Sequence, residues 1–270
     1  MSFFTVRNLS AGYGKTQVLR DCTFSLQAGE VTAVLAANGA GKTTLLRAVC
    51  GILPHGGSCT LDGARLESLS VRETAWRIGY IPQRSGISID IPVLDVVLMG
   101  FHARLGLLGQ PDAGMRRAAM EAIAQVGLAG RENENYQTLS EGQRQLCILA
   151  RTLVTGCCLY VLDEPESALD FRLRHRMLSL LSARVHAAGG AALMALHDPM
   201  LALNSCDRIL ILDGGVITGD FSPNVDPAQD IEAHLRTLYG PLSLMRCRPR
   251  GGTGAEQWVM LREDGIHEQL

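Results

Sequence analysis

One stretch constrains this chain more than any other: Val31 to Leu46, V-T-A-V-L-A-A-N-G-A-G-K-T-T-L-L. The apolar run Val31 to Leu35 predicts a buried strand, and Lys42-Thr43-Thr44 opens a helix carrying Leu45, Leu46, Ala48 and Val49. The glycine-rich turn Asn38-Gly39-Ala40-Gly41 lies between them. Strand, loop and helix in that order match the phosphate-binding P-loop, G-x-x-x-x-G-K-[ST]. Unpaired backbone N–H groups at the helix start, together with the helix dipole, make an anion site. Lys42 adds a point charge suited to β- and γ-phosphates, and the Thr43 hydroxyl is suited to Mg²⁺. The first glycine of the pattern is replaced by Ala36. If that position needs positive φ, alanine costs on the order of 1 kcal/mol; if it needs only a small side chain, alanine serves.

At 270 residues the chain can bury a full core, as one domain or one domain plus a subdomain. Its net charge of −2 gives no electrostatic case for nucleic acid. No apolar run approaches the ~20 residues that span a bilayer. The start, M-S-F-F-T-V-R-N-L, lacks the basic and long apolar segments of a signal peptide. The expectation is a cytosolic chain that meets a membrane only through a partner. The eight cysteines include no C-x-x-C pair, and most sit in apolar contexts where a free thiol acts as a small hydrophobe. A disulfide framework is not expected. Adjacent Cys157 and Cys158 could suggest redox chemistry, but packing before a core strand is the favoured reading.

Taken in order, Phe3 to Leu9 alternates like a strand and Ala11 to Lys15 reads as a turn. Gln17 to Leu26 alternates again, with Val18, Cys22, Phe24 and Leu26 as its inner face. Cys59 to Gly63 is a short strand and turn, Leu66 to Trp76 a short helix with Ser70 as a cap, and Arg77 to Gln83 a strand. From Arg84 to Val154 the pattern turns helical, with Pro92 to Leu98 and Met115 to Val126 as helices and Gly106 to Gln110 as loop. This block reads as an inserted subdomain. Beyond it come strands at Leu159–Leu162, Ala191–Leu196 and Arg208–Leu212, and helices at Leu173–Ala187 and from Asp226 to Tyr239. Leu242 to Cys247 and Gln257 to Leu261 could form a terminal hairpin across Gly251 to Gly254. The expected fold is α/β: a parallel sheet around the P-loop, antiparallel strands at the N-terminus and an inserted helical subdomain. One domain would span about 1–240, with the helical part at about 84–154 and a C-terminal extension over 241–270.

Two further stretches carry chemistry. Asp163-Glu164 closes an apolar strand, and in a parallel α/β sheet ligands bind at the carboxyl ends of strands. Asp163 can there meet the Mg²⁺ held by Thr43, and Glu164 can polarise an attacking water as general base. The second stretch is Leu139-Ser140-Glu141-Gly142-Gln143. Locally, Ser140-x-x-Gln143 is a capping box that starts a helix. Gly142 is a poor choice in a first turn unless something must approach the backbone. A serine-capped, glycine-bearing helix start is a second anion site, far along the chain from its one nucleotide loop.

This set resembles the ATP-binding cassette (ABC) ATPases. Ala36 to Thr44 is similar to their Walker A motif, with Asn38, Gly39, Ala40, Gly41, Lys42, Thr43 and Thr44 at the ATP phosphates. Leu139 to Gln143 resembles the L-S-G-G-Q signature, with Ser140, Gly142 and Gln143 facing an opposite ATP. Leu159 to Glu164 resembles Walker B with its catalytic glutamate, and Ser167 to Asp170 the D-loop. His197 fits the switch histidine, Gln83 the Q-loop residue that joins Thr43 and Asp163 at Mg²⁺, and Tyr13 the aromatic that stacks on adenine. His197, Tyr13 and Gln83 are each weak alone; the joint order of the set removes the ordinary structural readings. Glu141 replaces the first signature glycine, and Glu166 stands where the family has a small polar residue. Either could slow turnover.

The resemblance implies that two such chains pack head to tail, each ATP lying between one P-loop and the other chain's signature helix. It implies ATP and Mg²⁺ as cofactors, and catalytic roles for Glu164, His197 and Gln83. Ile81-Pro82-Gln83, the stretch from Ile91 to Gly100 and L-R-x-L-Y-G from Leu235 to Gly240 resemble the ATPases of iron-siderophore, haem and cobalamin importers. Such a subunit would sit peripherally on the cytoplasmic face of the inner membrane. Its Gln83–Arg104 region would bind permease coupling helices, with a periplasmic or surface binding protein acting indirectly and no nucleic acid involved. The competing expectations are a soluble ABC ATPase of iron–sulfur cluster assembly and a regulatory ATP-binding module that hardly hydrolyses.

Overall fold

The computed structural model describes residues 2–84, 86–105, 109–248 and 255–263. In chain order the first half comprises β1 (Phe4–Tyr13), β2 (Thr16–Leu26), β3 (Glu30–Leu35), α1 (Lys42–Val49), β4 (His55–Leu61), β5 (Ala64–Arg65), α2 (Val71–Arg77), β6 (Ile78–Ile81), α3 (Val93–Leu98), α4 (Ala113–Gln125) and α5 (Glu141–Thr155). The second half comprises β7 (Leu159–Asp163), α6 (Phe171–Ala188), β8 (Ala191–Ala195), α7 (Pro199–Ser205), β9 (Arg208–Asp213), β10 (Val216–Phe221), α8 (Ala228–Tyr239), β11 (Leu242–Cys247) and β12 (Gln257–Arg262).

The apolar runs in β3, β7 and β8 form the middle of a six-stranded sheet ordered β10-β9-β3-β8-β7-β6. It is parallel except for the β9–β10 pair. A strand without polar alternation must be covered on both faces, and these are. Ala33 and Leu35 of β3, with Tyr160 and Leu162 of β7, enter a core shared with α3, α4, α5 and α6. Val34, Leu159 and Val161 enter a second core, under α1 and an antiparallel sheet ordered β2-β1-β4-β5. The α/β class, the N-terminal antiparallel strands and the helical insertion are therefore as expected.

Several local expectations shift. β1 continues through Tyr13, so the turn shrinks to Gly14-Lys15. In β2 the inner face comprises Cys22, Phe24, Leu26 and Leu19, with Val18 only half-buried. The register slips there, with Leu9 opposite Cys22 but Ala11 opposite Leu19, and Asp21 has φ 49°. One extra residue exchanges the faces of what precedes it. The predicted Leu66–Trp76 helix divides into a 3₁₀ turn, Leu66–Ser68, and α2, because Leu69 is extended and Ser70 caps α2 reciprocally with Glu73. α7 and β10 were not anticipated. Most of the predicted 106–110 loop and all of 251–254 lie outside the described residues.

β11 and β12 pair antiparallel and lie against α8 and α7. Trp258 is buried; its Nε1 donates to the Pro223 carbonyl at 3.1 Å, and its backbone exchanges two hydrogen bonds with the Asn204 amide.

Candidate functional site

Strand register places the site. Val34 of β3 and Asp163 of β7 both pair with Ala195 of β8, so three strands end at one level. At that edge the P-loop turns through Gly39 (φ 79°) and Gly41 (φ 107°). A Cβ on Gly41 would lie 2.9 Å from Val18 Cγ1, so the turn is closed to any larger residue. Ala36 is buried and is not among the residues with positive φ, so alanine fits without strain. α1 starts without a side-chain cap, leaving its first N–H groups to a cavity of about 250 Å³. Asn38, Gly39, Gly41, Lys42, Thr43 and Thr44 line it, and Glu164 closes one side. Ala40 is not part of that lining; its N–H donates to the Ala37 carbonyl at 3.2 Å.

Lys42 is 6% exposed. Its Nζ donates to the Ala36 carbonyl at 3.2 Å and lies 3.4 Å from Glu164 Oε1. Thr43 Oγ1 donates to Asp163 Oδ1 at 3.1 Å, and the Tyr80 hydroxyl donates to Asp163 Oδ2 at 3.4 Å. Burial raises the Asp163 pKa; the Thr43 hydrogen bond opposes it. Burial, then the Asp163 charge, push the Tyr80 phenol up to about 12, so it stays a donor. A hydroxyl and a buried carboxylate this close are the hard oxygen donors that suit Mg²⁺.

Glu164 adopts φ 46°, a left-handed conformation that costs roughly 1 kcal/mol in a non-glycine residue. Its N–H donates to the Ala195 carbonyl at 3.1 Å, and Gln83 Nε2 donates to its Oε2 at 2.8 Å. Lys42 and Gln83 thus clasp the carboxylate from two sides. Gln83 contacts Glu164 here, not the Thr43–Asp163 pair.

The remaining predicted residues lie outside the P-loop cavity. His197 is exposed just after β8, and its backbone N–H donates to Glu166 Oε1 at 2.9 Å. Asp170 caps α6 by accepting from the Leu173 N–H at 2.8 Å. Ser140 caps α5 in a full capping box with Gln143. Gly142 is needed for a reason internal to the chain: a Cβ there would lie 2.9 Å from the Ala168 carbonyl oxygen. Glu141 is exposed in the first turn, where an acid suits the dipole. Tyr13 is 48% exposed, and its hydroxyl, after that of Tyr80, raises the pKa of Arg47 on α1.

Residues 19–167 match the family described as ABC transporter. This chain belongs to that family. The ABC chain is 36% identical over 222 residues to the hemin import ATP-binding protein HmuV of Ruegeria sp. (strain TM1040), covering 79% of this chain and 82% of the relative. It is 35% identical over 248 residues to a phosphonates import ATP-binding protein, PhnC 1, of Pseudomonas aeruginosa (strain UCBPP-PA14), covering 87% and 88%. Among solved structures, an inward-facing ABC transporter described as being of the metal-chelate type superposes with a TM-score of 0.78 at 26% identity, covering 97% of this chain and 99% of that one. The protein is an ATPase of this family, and nucleotide is its substrate. Among its described residues no helix is long and apolar enough to cross a membrane.

Two residues that contact the predicted site residues have no role in the sequence reading. Tyr80 carried no signal beyond strand alternation. Glu166 departs from the family pattern, yet it is 4% exposed and its carboxylate accepts the backbone N–H of His197.

Proposed function

We propose that this chain powers uptake of a metal chelate, of the haem, siderophore or cobalamin class, through a separate membrane permease. The observation that carries this reading is its likeness, over nearly the full length of both chains, to the metal-chelate type transporter. The hemin-import relatives support it. The phosphonate relatives favour a second cargo, an organic phosphonate, through the same ATPase chemistry. An iron–sulfur assembly role has no such support.

In the mechanism we propose, the P-loop N–H groups and Lys42 bind the β- and γ-phosphates. Lys42 must leave Glu164 to do so, which frees that carboxylate to take a proton from the attacking water. Thr43 and Asp163 would hold Mg²⁺, which supplies charge neutralisation on the phosphates when bound. Gln83 positions Glu164 through the 2.8 Å hydrogen bond. His197 reaches the γ-phosphate from the end of β8, Tyr13 meets the base, and Ser140, Gly142 and Gln143 of a second copy close the site, with Asp170 near the seam. The separation of the α5 start from the P-loop cavity supports that shared arrangement.

An apolar groove of about 670 Å³ supports the choice of partner. It runs from the end of α1 to α2, lined by Ile52 and Val71, which are 56% and 88% exposed. The Ala103 and Arg104 carbonyls accept from Arg72 of α2, beside the groove, and groove and Gln83–Arg104 region together would seat helices of an integral permease on the cytoplasmic face of the inner membrane. We also propose that residues 1–240 act as the ATPase domain and 241–270 as an extension.

Affinity purification of the tagged chain from detergent-solubilised membranes tests this reading. A multi-span permease in equal amounts is expected, and its identity separates chelate from phosphonate cargo. Soluble partners alone would overturn the reading.

A further inference from the structure

The wall of the groove carries a cluster that the ATP site does not use. His55 and Cys59 lie on β4, and Glu67 arrives on the 3₁₀ turn Leu66–Ser68. A ring nitrogen of His55, the Cys59 Sγ and a Glu67 carboxylate oxygen all lie within 4.8 Å of one another. No other such group of three occurs among the described residues. We propose that His55, Cys59 and Glu67 bind a borderline divalent cation such as Zn²⁺, with the fourth position open to the groove.

The donor set decides the class of ion. Thiolate, imidazole and carboxylate together suit zinc-like ions, whereas Mg²⁺ and Ca²⁺ take oxygen alone. Tetrahedral zinc sets neighbouring donors roughly 3.5 Å apart, so closing the site takes about an ångström of side-chain rotation. The surroundings fit the same reading. His55 Nδ1 lies 3.1 Å from the Gly56 carbonyl. With the proton on Nδ1, Nε2 keeps its lone pair, as in ligating histidines oriented by a second hydrogen bond. Glu67 Oε1 accepts the Cys59 N–H at 2.7 Å, while its Oε2 has only a 3.4 Å contact with the exposed Arg65. That weak partner is readily displaced, and the backbone N–H keeps its acceptor.

Burial, and then the Glu67 charge, push the Cys59 thiol up to about 12, so without metal it is protonated. Binding forms a sulfur–metal bond, breaks S–H and releases one proton to solvent, so affinity rises with pH. His55 and Glu67 both line the groove, on β4 and on the turn after β5. A cation joining them would fix the separation of those two elements. The site rests on these residues alone and stands whether or not the groove seats a permease.

The test is a Co²⁺ titration of the full chain carrying Cys247→Ser, which removes the exposed thiol. One equivalent should produce a thiolate-to-cobalt charge-transfer band in the near ultraviolet, with the visible bands of a four-coordinate site, and Zn²⁺ should bleach both. Cys59→Val should abolish the charge-transfer band. His55→Ala and Glu67→Gln should weaken Co²⁺ binding at least tenfold. MgATP binding, read separately, should be unchanged in the three variants. Absence of the band in the parent, or its survival at unchanged affinity in His55→Ala, would overturn the proposal. Should Cys59→Val fail to fold, the half-buried His55 and exposed Glu67 variants carry the test.

Discussion

Replacing Glu164 by glutamine should raise affinity for MgATP while stopping its hydrolysis, and the structure sets the scale of both effects. Lys42 Nζ and Glu164 Oε1 are 3.4 Å apart, with the side chains 6% and 21% exposed. At an effective dielectric of about 20 their Coulomb attraction is roughly 5 kcal/mol. Desolvation and solvent screening cancel most of that, and partly exposed pairs retain on the order of 1 kcal/mol. Nucleotide must break this pair before Lys42 can face the phosphates. Glu164→Gln removes the competitor and a negative charge beside the γ-phosphate, so Kd for MgATP should fall about fivefold. Gln83 can still donate to the new amide oxygen, so the local geometry survives. Loss of the general base should lower single-turnover hydrolysis by roughly 10²- to 10⁴-fold. Calorimetric titration with MgATP and quenched phosphate release measure the two quantities. A Kd equal to or weaker than the parent's would refute the Lys42–Glu164 competition. An unchanged hydrolysis rate would refute Glu164 as the base.

Two further predictions concern neighbours of that site. Burial raises the Glu166 pKa, with the His197 N–H opposing it, so the folded chain holds this proton to higher pH than the unfolded chain. Stability is therefore lost as pH rises from the ordinary glutamate value, about 4.3, through the raised one. Glu166→Gln has no such loss, so its melting temperature relative to the parent should climb as pH rises above the ordinary glutamate value, and a pH-independent difference would contradict the assignment. Gly142→Ala places a Cβ 2.9 Å from the Ala168 carbonyl oxygen. It should cost about 1–3 kcal/mol by overpacking and slow ATP turnover by shifting the segment between Glu166 and Asp170. The exposed Glu141→Ala should stay within about 0.5 kcal/mol of the parent in thermal melts; equal melts for the two variants would sink this explanation of the glycine.

Much of the molecule was legible because the signals are local. A run such as Val31–Leu35 must be covered on both faces, a G-A-G-K-T turn must expose N–H groups at a helix start, and Ser140 with Gln143 must cap a helix. These follow from backbone chemistry within a few residues, and the structure has them where the sequence places them. What failed was also local, but finely balanced. One extra residue at Asp21 exchanged Val18 for Leu19 in the core, because strand faces alternate with period two. Leu69 broke a predicted helix because Ser70 caps better than it continues one.

The sequence by itself determined that this chain binds phosphate, belongs to a doubly covered α/β class and carries its acids at a strand's end. Only the tertiary structure decided which groups meet. Thr43 and Asp163 are 120 residues apart, and they touch because the strand order β3-β8-β7 lets α1, which carries Thr43, pack across β8 onto β7. The same strand order clasps Glu164 between Lys42 and Gln83. Packing between α5 and the segment after β7 gave Gly142 its reason. The β4 pairing brought His55 and Cys59 within reach of Glu67. Sequence patterns report the few residues on either side of a position, whereas contacts across a sheet depend on crossover order, which no local pattern encodes.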